Sequence, residues 1–255
     1  MNEQFENRYQ RNMNTFTPEE NRRMKDFKIC VIGCGGLGGH IIEMLSRLGV
    51  GQITAVDGDV FDETNLNRQL LSKESLIGKE KALAAEDRIR EVNREVRVNP
   101  VVAFVRENNC REIIRGHDLV IDALDNMSSR KIVAAGCREE GILLVHGAIA
   151  GWYGQVAVIR PEDRLLEKIY PDQEEKGAET ELGNPSFTPA LVASIQVAEA
   201  MKVLFRKGET LEGRMLVLDL LNTRSLSFNS KTSLFSCRVF PNTGYFTSAS
   251  MLAWR

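Results

Sequence analysis

The 255-residue chain carries 33 lysines and arginines against 35 aspartates and glutamates, a formal net charge of −2. That balance supplies no global basic field for nucleic acid as the main partner, and no uninterrupted apolar stretch approaches the ~18–20 residues of a membrane helix. A chain of this length needs no more than one domain, so a single domain spanning 1–255 is expected.

Residues 1–26 are polar and charged. They read as a short helical arm rather than a secretory leader, and the expected location is the cytoplasm. Within the arm, Arg8-Tyr9-Gln10-Arg11 stands out, and Thr17-Pro18-Glu19-Glu20 is a helix start with Thr17 at the cap. Phe27–Ile32 is a short apolar run ending at Gly33, read as a buried strand. Gly33, Gly35 and Gly38 satisfy GxGxxG, and a helix follows from about Leu37 to Leu48, stopped by Gly49. Gly33 permits the tight turn, Gly35 lets backbone N–H groups approach phosphate, and Gly38 packs the helix on its strand. Gln52–Asp57 is the second strand. Asp57 lies 24 residues after Gly33, near the ~20 expected of a ribose-binding acid.

Further along, 78–92 reads as a charged amphipathic helix, 96–105 as a strand, 110–115 as a short helix and 118–124 as a buried strand ending at Asp125-Asn126. A helix over 128–140 and a strand over 143–147 complete a β-α alternation that implies a mostly parallel sheet with right-handed crossovers. The expected fold is therefore α/β: a Rossmann-like doubly wound sheet, parallel in its N-terminal part, with antiparallel strands at its C-terminal end. Residues 154–160 form a strand with no helix before it. Residues 161–189 read as a long polar crossover loop. The 189–205 helix is expected to turn Leu191, Ile195, Ala198 and Leu204 to one face, and two strands close the fold at 215–221 and 224–228.

GxGxxG with an acidic strand end would make NAD the default ligand. The cations downstream argue otherwise. Asn65 and Arg68 follow Asp57 closely, and Lys81 lies 13 residues beyond Arg68. In open α/β sheets ligands bind at the carboxyl ends of the strands, where Asp57, Asp125 and the glycine loop all fall. A triphosphate with Mg²⁺ needs backbone N–H groups, cations and one or two carboxylates for the metal; Asp125 suits that last role, and Asn126 beside it is also a ready helix cap. No His-based or thiol-based catalytic set is evident. An ionised carboxylate attacking an α-phosphate needs no base, so positioning and charge neutralisation would suffice.

Together these pieces resemble the HesA/MoeB/ThiF proteins, the bacterial relatives of ubiquitin-activating enzymes. The match rests on Arg8–Arg11, the Gly33–Gly39 loop, Asp57 with Thr64–Gln69, Gly78–Lys81, Asp122–Asn126 followed by Arg130, Gly147-Ala148 and Gly154-Gln155-Val156, and it covers roughly residues 5–228. The resemblance implies adenylation, with MgATP, of the C-terminal Gly-Gly carboxylate of a small ubiquitin-like sulfur carrier of the ThiS/MoaD kind. It implies that Gly36 and its neighbours contact phosphate, that Asp57 binds the ribose, and that Asn65, Arg68 and Lys81 bind the phosphates. It further implies that Asp125 holds Mg²⁺ with Asn126 beside it. Arg11 resembles an arginine finger entering the other subunit's site, which implies a homodimer.

The departures are equally specific. The five cysteines, Cys30, Cys34, Cys110, Cys137 and Cys237, form no CxxC pair. The zinc-binding pairs many members carry are missing: the first is absent around 161–170, and at the second Phe240 stands where a partner for Cys237 would be, so no zinc is expected. The crossover loop has no cysteine for a thioester, so sulfur or another nucleophile would be added elsewhere. Cys34, at a helix N-terminus where thiol pKa values fall, reads as a small residue filling its slot. Two competing readings stand beside the adenylyltransferase: a related enzyme that activates and cyclises a carboxylate on modified tRNA, and a non-catalytic nucleotide sensor, scaffold or NAD module. The aromatic residues Tyr245, Phe246 and Trp254 cover a partner surface or pack on the domain.

Overall fold

The computed structural model describes residues 7–169 and 179–229. Its eight strands are β1 (Lys28–Ile32), β2 (Gln52–Val56), β3 (Arg97–Val101), β4 (Leu119–Asp122), β5 (Leu144–Ala150), β6 (Tyr153–Ile159), β7 (Arg214–Asp219) and β8 (Arg224–Asn229). They form one sheet in the order β3-β2-β1-β4-β5-β6-β7-β8. Strands β1 to β5 pair in parallel, and β6, β7 and β8 are added antiparallel. The chain leaves β1 in one direction to build β2 and β3 and returns on the other side to β4 and β5. That reversal makes a switch point between β1 and β4, where ligand crevices open in such sheets.

The helices are α1 (Pro18–Arg23), α2 (Gly36–Leu48), α3 (Lys81–Val92), α4 (Cys110–Ile114), α5 (Met127–Glu140), α6 (Leu165–Ile169), α7 (Glu179–Leu182) and α8 (Phe187–Phe205). Thr17 opens α1 with a complete capping box: its side chain accepts the Glu20 N–H at 3.1 Å, and the Glu20 carboxylate accepts the Thr17 N–H at 2.7 Å. Gly49, at φ +90°, ends α2 in the left-handed conformation that favours glycine. The N-terminal segment is fastened to the domain through Tyr9, which is buried and accepts a hydrogen bond from Asn93 at 2.7 Å.

Four expectations needed correction. Strand β3 stops at Val101 instead of running to Val105, because Ala103 turns back to hydrogen-bond the Val101 carbonyl and leaves Val102 and Phe104 exposed. Pro100 is tolerated in β3 because that strand is the sheet edge. The 161–189 segment is not loop throughout: it contains α6, whose Leu165 and Leu166 are buried, then α7 and the start of α8.

Helix α8 buries a different face from the one expected. Val192, Ala193, Val197, Ala200 and Met201 face the core, with Thr188, Gln196 and Glu199 among them, while Leu191 and Ala198 are exposed. The polar members are affordable there because each finds a partner: Thr188 donates to the Gly151 carbonyl at 2.6 Å, Gln196 to the Asp122 carbonyl at 2.8 Å, and Glu199 accepts the Leu211 N–H at 2.8 Å.

Helix α8 also qualifies the statement about membrane spans. Its 19 residues have a mean hydropathy of 1.3, enough to cross a membrane by length and composition. It packs instead against α2, β5 and β6 as a core helix. Residues 230–255, including Cys237, Phe240 and the three tail aromatics, lie outside the described residues.

Candidate active site

The cleft opens at the carboxyl ends of β1, β2 and β4. A methyl group at Gly33 would lie 2.5 Å from the Ala123 carbonyl oxygen, and the residue's φ of +100° is itself a conformation that favours glycine. The turn after β1 can therefore press against the turn after β4. Gly38 serves the same packing from the helix side: a methyl group there would sit 1.7 Å from the Gly33 carbonyl oxygen. Gly38 thus lies behind the cleft, while Gly33, Gly35 and Gly36 line it.

Asp57 continues from β2 and reaches across to the glycine loop. Its Oδ2 accepts the Cys34 N–H at 2.8 Å, and its Oδ1 accepts the Asp59 N–H at 2.9 Å. Burial pushes its carboxyl up against the opposing pull of those two N–H groups. Asp59 was not singled out by the sequence, yet it organises the next cation. Lys81 is the first residue of α3 and nearly buried; its Nζ donates to Asp59 Oδ2 at 2.6 Å and its backbone N–H to the Asp59 carbonyl at 3.0 Å. The Asp-Gly-Asp spacing of 57–59 was the available signal, a second carboxylate one turn residue beyond the first.

Arg68 lines the cleft from the segment after β2. Its guanidinium donates to the Thr64 carbonyl at 2.9 Å and to Asn67 Oδ1 at 3.0 Å. Asp125 lines the opposite side and is exposed. Asn126 donates to it at 3.4 Å, while its own Oδ1 accepts the Ser129 N–H at 2.9 Å and caps α5. An apolar wall of Ala103, Phe104 and Val105 follows β3, and nothing in the sequence marked it.

Besides Gly38, two residues named from the sequence are not brought to the cleft. Asn65 is buried and closes a capping box with Asp62, accepting the Asp62 N–H at 3.3 Å. Arg11 is exposed in the 3₁₀ turn Gln10–Asn12 and does not line its own chain's cleft.

The lining suits a polar, anionic ligand. Gln69 Oε1, Arg130 Nε and Asn184 Oδ1 all belong to lining residues, and all are buried with no hydrogen-bond partner among the described residues. Such atoms normally mark a place that a bound polar group completes. The N-terminus of α2 adds its backbone N–H groups and partial positive charge.

The described thiols offer little reactivity. Cys34 is completely buried, and burial, followed by the nearby Asp57 charge, pushes its thiol well up, overriding the helix terminus. Burial also raises Cys30 and Cys137, and pushes Cys110 up to about 11.

A family model described as the ThiF family matches residues 9–239. The chain belongs to the ThiF family. Among similar ThiF relatives, the SAMP-activating enzyme E1 of Haloferax volcanii is 37% identical over 220 residues, covering 84% of this chain and 82% of its own. The sulfur carrier protein adenylyltransferase of Thermus thermophilus is 36% identical, covering 80% and 79%. Among solved structures, Escherichia coli MccB, crystallised with ATP, superposes with a TM-score of 0.77 at 20% identity, over 91% of this chain and 74% of MccB. That likeness concerns the fold.

Proposed function

We propose that this ThiF-family protein is an ATP-dependent adenylyltransferase that activates the C-terminal Gly-Gly carboxylate of a small ubiquitin-like sulfur carrier. The observation that carries the reading is the convergence, in one cleft, of the glycine loop, Asp57, Arg68, Lys81 and Asp125. The names of the Haloferax and Thermus relatives agree with it.

In this reading the chain works as one adenylation domain in the cytoplasm. The N–H groups at the start of α2 hold phosphate, Asp57 takes the ribose hydroxyls, and Arg68 and Lys81 neutralise the phosphates. Asp125 would hold Mg²⁺, which would supply charge neutralisation on the phosphate oxygens. The carrier carboxylate attacks the α-phosphorus. A new acyl–oxygen–phosphorus bond forms, the α–β bridging P–O bond breaks, and pyrophosphate leaves with the electron pair. No proton need move, which fits a cleft whose lining contains no histidine. Asn65 acts at one remove by shaping the turn that carries Arg68.

Arg11 belongs to this proposal only in trans. Its exposure, on a segment anchored by Tyr9, suits insertion into a partner subunit's cleft in a homodimer. In this reading no thioester forms on this chain and the nucleophile is supplied elsewhere, which the burial of Cys30, Cys34, Cys110 and Cys137 supports.

The reading is tested by ATP–pyrophosphate exchange with Gly-Gly-tailed carriers from the same genome. Carrier-dependent exchange is expected. Nucleotide binding with no exchange for any carrier would move the assignment to tRNA-linked carboxylate activation or a nucleotide-binding scaffold.

A further inference from the structure

Beneath Asp125 lies a polar cluster that the proposed chemistry does not use. Asp122, the last residue of β4, is fully buried and sits directly opposite His146 of β5 in the parallel register. His146 Nδ1 lies 2.7 Å from Asp122 Oδ2, and the other carboxylate oxygen accepts the Leu124 N–H at 2.9 Å. The Asp122 backbone carbonyl accepts from Gln196 of α8 at 2.8 Å. Gln196 reaches it across Gly147, where a methyl group would lie 2.3 Å from the Gln196 amide carbon. Arg130 of α5, only 6% exposed, donates to the Leu124 carbonyl and stands 3.9 Å from the Asp122 carboxylate.

Side chains from β5, α5 and α8 therefore grip the short segment from Asp122 to Leu124. That segment delivers Asp125 to the cleft. Asp125 itself has no such support: its side chain is exposed and its one side-chain hydrogen bond among those described is the 3.4 Å contact from Asn126. Its placement must come from the backbone that precedes it. Groups behind a metal-binding carboxylate commonly set its orientation.

We propose that His146 and Arg130 are positioning residues: acting through the Asp122 carboxylate and the Leu124 carbonyl, they fix the backbone that aims Asp125 into the cleft. The inference rests on the reading that Asp125 serves a Mg²⁺-bound nucleotide. It adds that the reach of Asp125 depends on two residues that need not touch the metal.

The test is calorimetric binding of a non-hydrolysable ATP analogue, with and without Mg²⁺, to the full-length wild type and to His146→Leu, His146→Asn and Arg130→Met. The wild type is expected to bind more tightly with Mg²⁺. His146→Leu should lose about 10-fold or more of that gain while binding the metal-free analogue as the wild type does; Arg130→Met, whose side chain also lines the cleft, should lose at least as much of the gain. His146→Asn, whose amide can donate where Nδ1 did, should recover most of the gain. If His146→Leu does not fold, Arg130→Met decides. Full retention of the Mg²⁺ gain in folded variants overturns the inference, as does an equal loss with and without metal that His146→Asn does not repair. A wild type that binds no analogue refutes the functional reading itself, and this inference with it.

Discussion

The ammonium of Lys81 lies 2.6 Å from the carboxylate of Asp59, with the lysine side chain 7% exposed and the aspartate 52%. The pair is asymmetric: a buried cation held by an anion that remains half in water. Removing the lysine leaves Asp59 solvated, so no unpaired buried charge remains and the stability lost should stay near the ~1 kcal/mol typical of a point substitution. Lys81→Ala should therefore keep a near-wild-type melting temperature while slowing carrier-dependent exchange on the order of 10²-fold, the usual cost of losing one charge-stabilising contact. Parallel calorimetry and exchange assays check both halves.

Asp125→Asn separates chemistry from stability in the same way. The side chain is exposed and its contact with Asn126 is long. Melting should not move by more than about 0.5 kcal/mol, whereas exchange should fall roughly 10²-fold. A variant as active as the wild type would remove Asp125 from the site.

Two glycine substitutions should differ sharply. At Gly38 a methyl group meets the Gly33 carbonyl oxygen at 1.7 Å, a backbone atom that cannot step aside without opening the turn. Gly38→Ala should cost about 3 kcal/mol or more and abolish nucleotide binding. At Gly141, the C-terminal stop of α5, nothing lies within 4 Å of the new methyl group and only the φ of +69° is disfavoured. Gly141→Ala should cost about 1–2 kcal/mol and leave nucleotide affinity intact. Urea unfolding of the two variants makes the comparison.

Acid should weaken the fold through His146. Burial pulls its imidazole below the ordinary 6.5, against the opposing pull of Asp122. The unfolded chain therefore binds this proton more readily, and stability falls as pH drops below about 6.5. For Asp122, burial alone would raise the carboxyl, but Arg130 and the His146 hydrogen bond outweigh it and hold the group below its usual 3.8. Its contribution is lost only at lower pH, as the folded-state value is crossed. His40, lowered by burial, adds to the slope near neutrality. Melting temperature should decline from pH 7 to pH 5.5, and His146→Asn should flatten that decline in part.

Composite sites should complement one another. If Arg11 acts in the partner's cleft, mixing Arg11→Ala and Asp125→Ala chains restores one complete site in each mixed dimer. Random pairing then recovers roughly a quarter of wild-type exchange from two nearly inactive parents. No recovery after verified subunit exchange would show that Arg11 does not act in the partner's cleft.

Much of this was readable from the chain because local rules and the fold agree. Apolar runs ending in Gly33, Asp57 and Asp125 announce parallel strands whose ends converge, and Gly49 marks a helix stop. What stayed hidden depends on partners distant in sequence. The buried face of α8 carries Gln196 and Glu199, which hydrophobic periodicity places outside; only the Asp122 carbonyl and the Leu211 N–H make them interior residues. His146 was invisible for the same reason, since its partner lies 24 residues away, and Asp59 was signalled only by its place two residues beyond Asp57, its partner lying 22 residues away. Asn65 carried the opposite lesson: a polar residue beside cations can be occupied in shaping their turn.

The central claim is that an acyl-adenylate forms on the carrier's terminal carboxylate. Intact-mass analysis of a Gly-Gly-tailed carrier, quenched after incubation with enzyme, ATP and Mg²⁺, tests it most directly. The account predicts that the carrier gains the mass of one adenylyl group, that the gain vanishes with Lys81→Ala, and that it is absent from a carrier lacking its last glycine. A carrier that stays unmodified under turnover conditions, or an adenylyl group found elsewhere than its C-terminus, would contradict it.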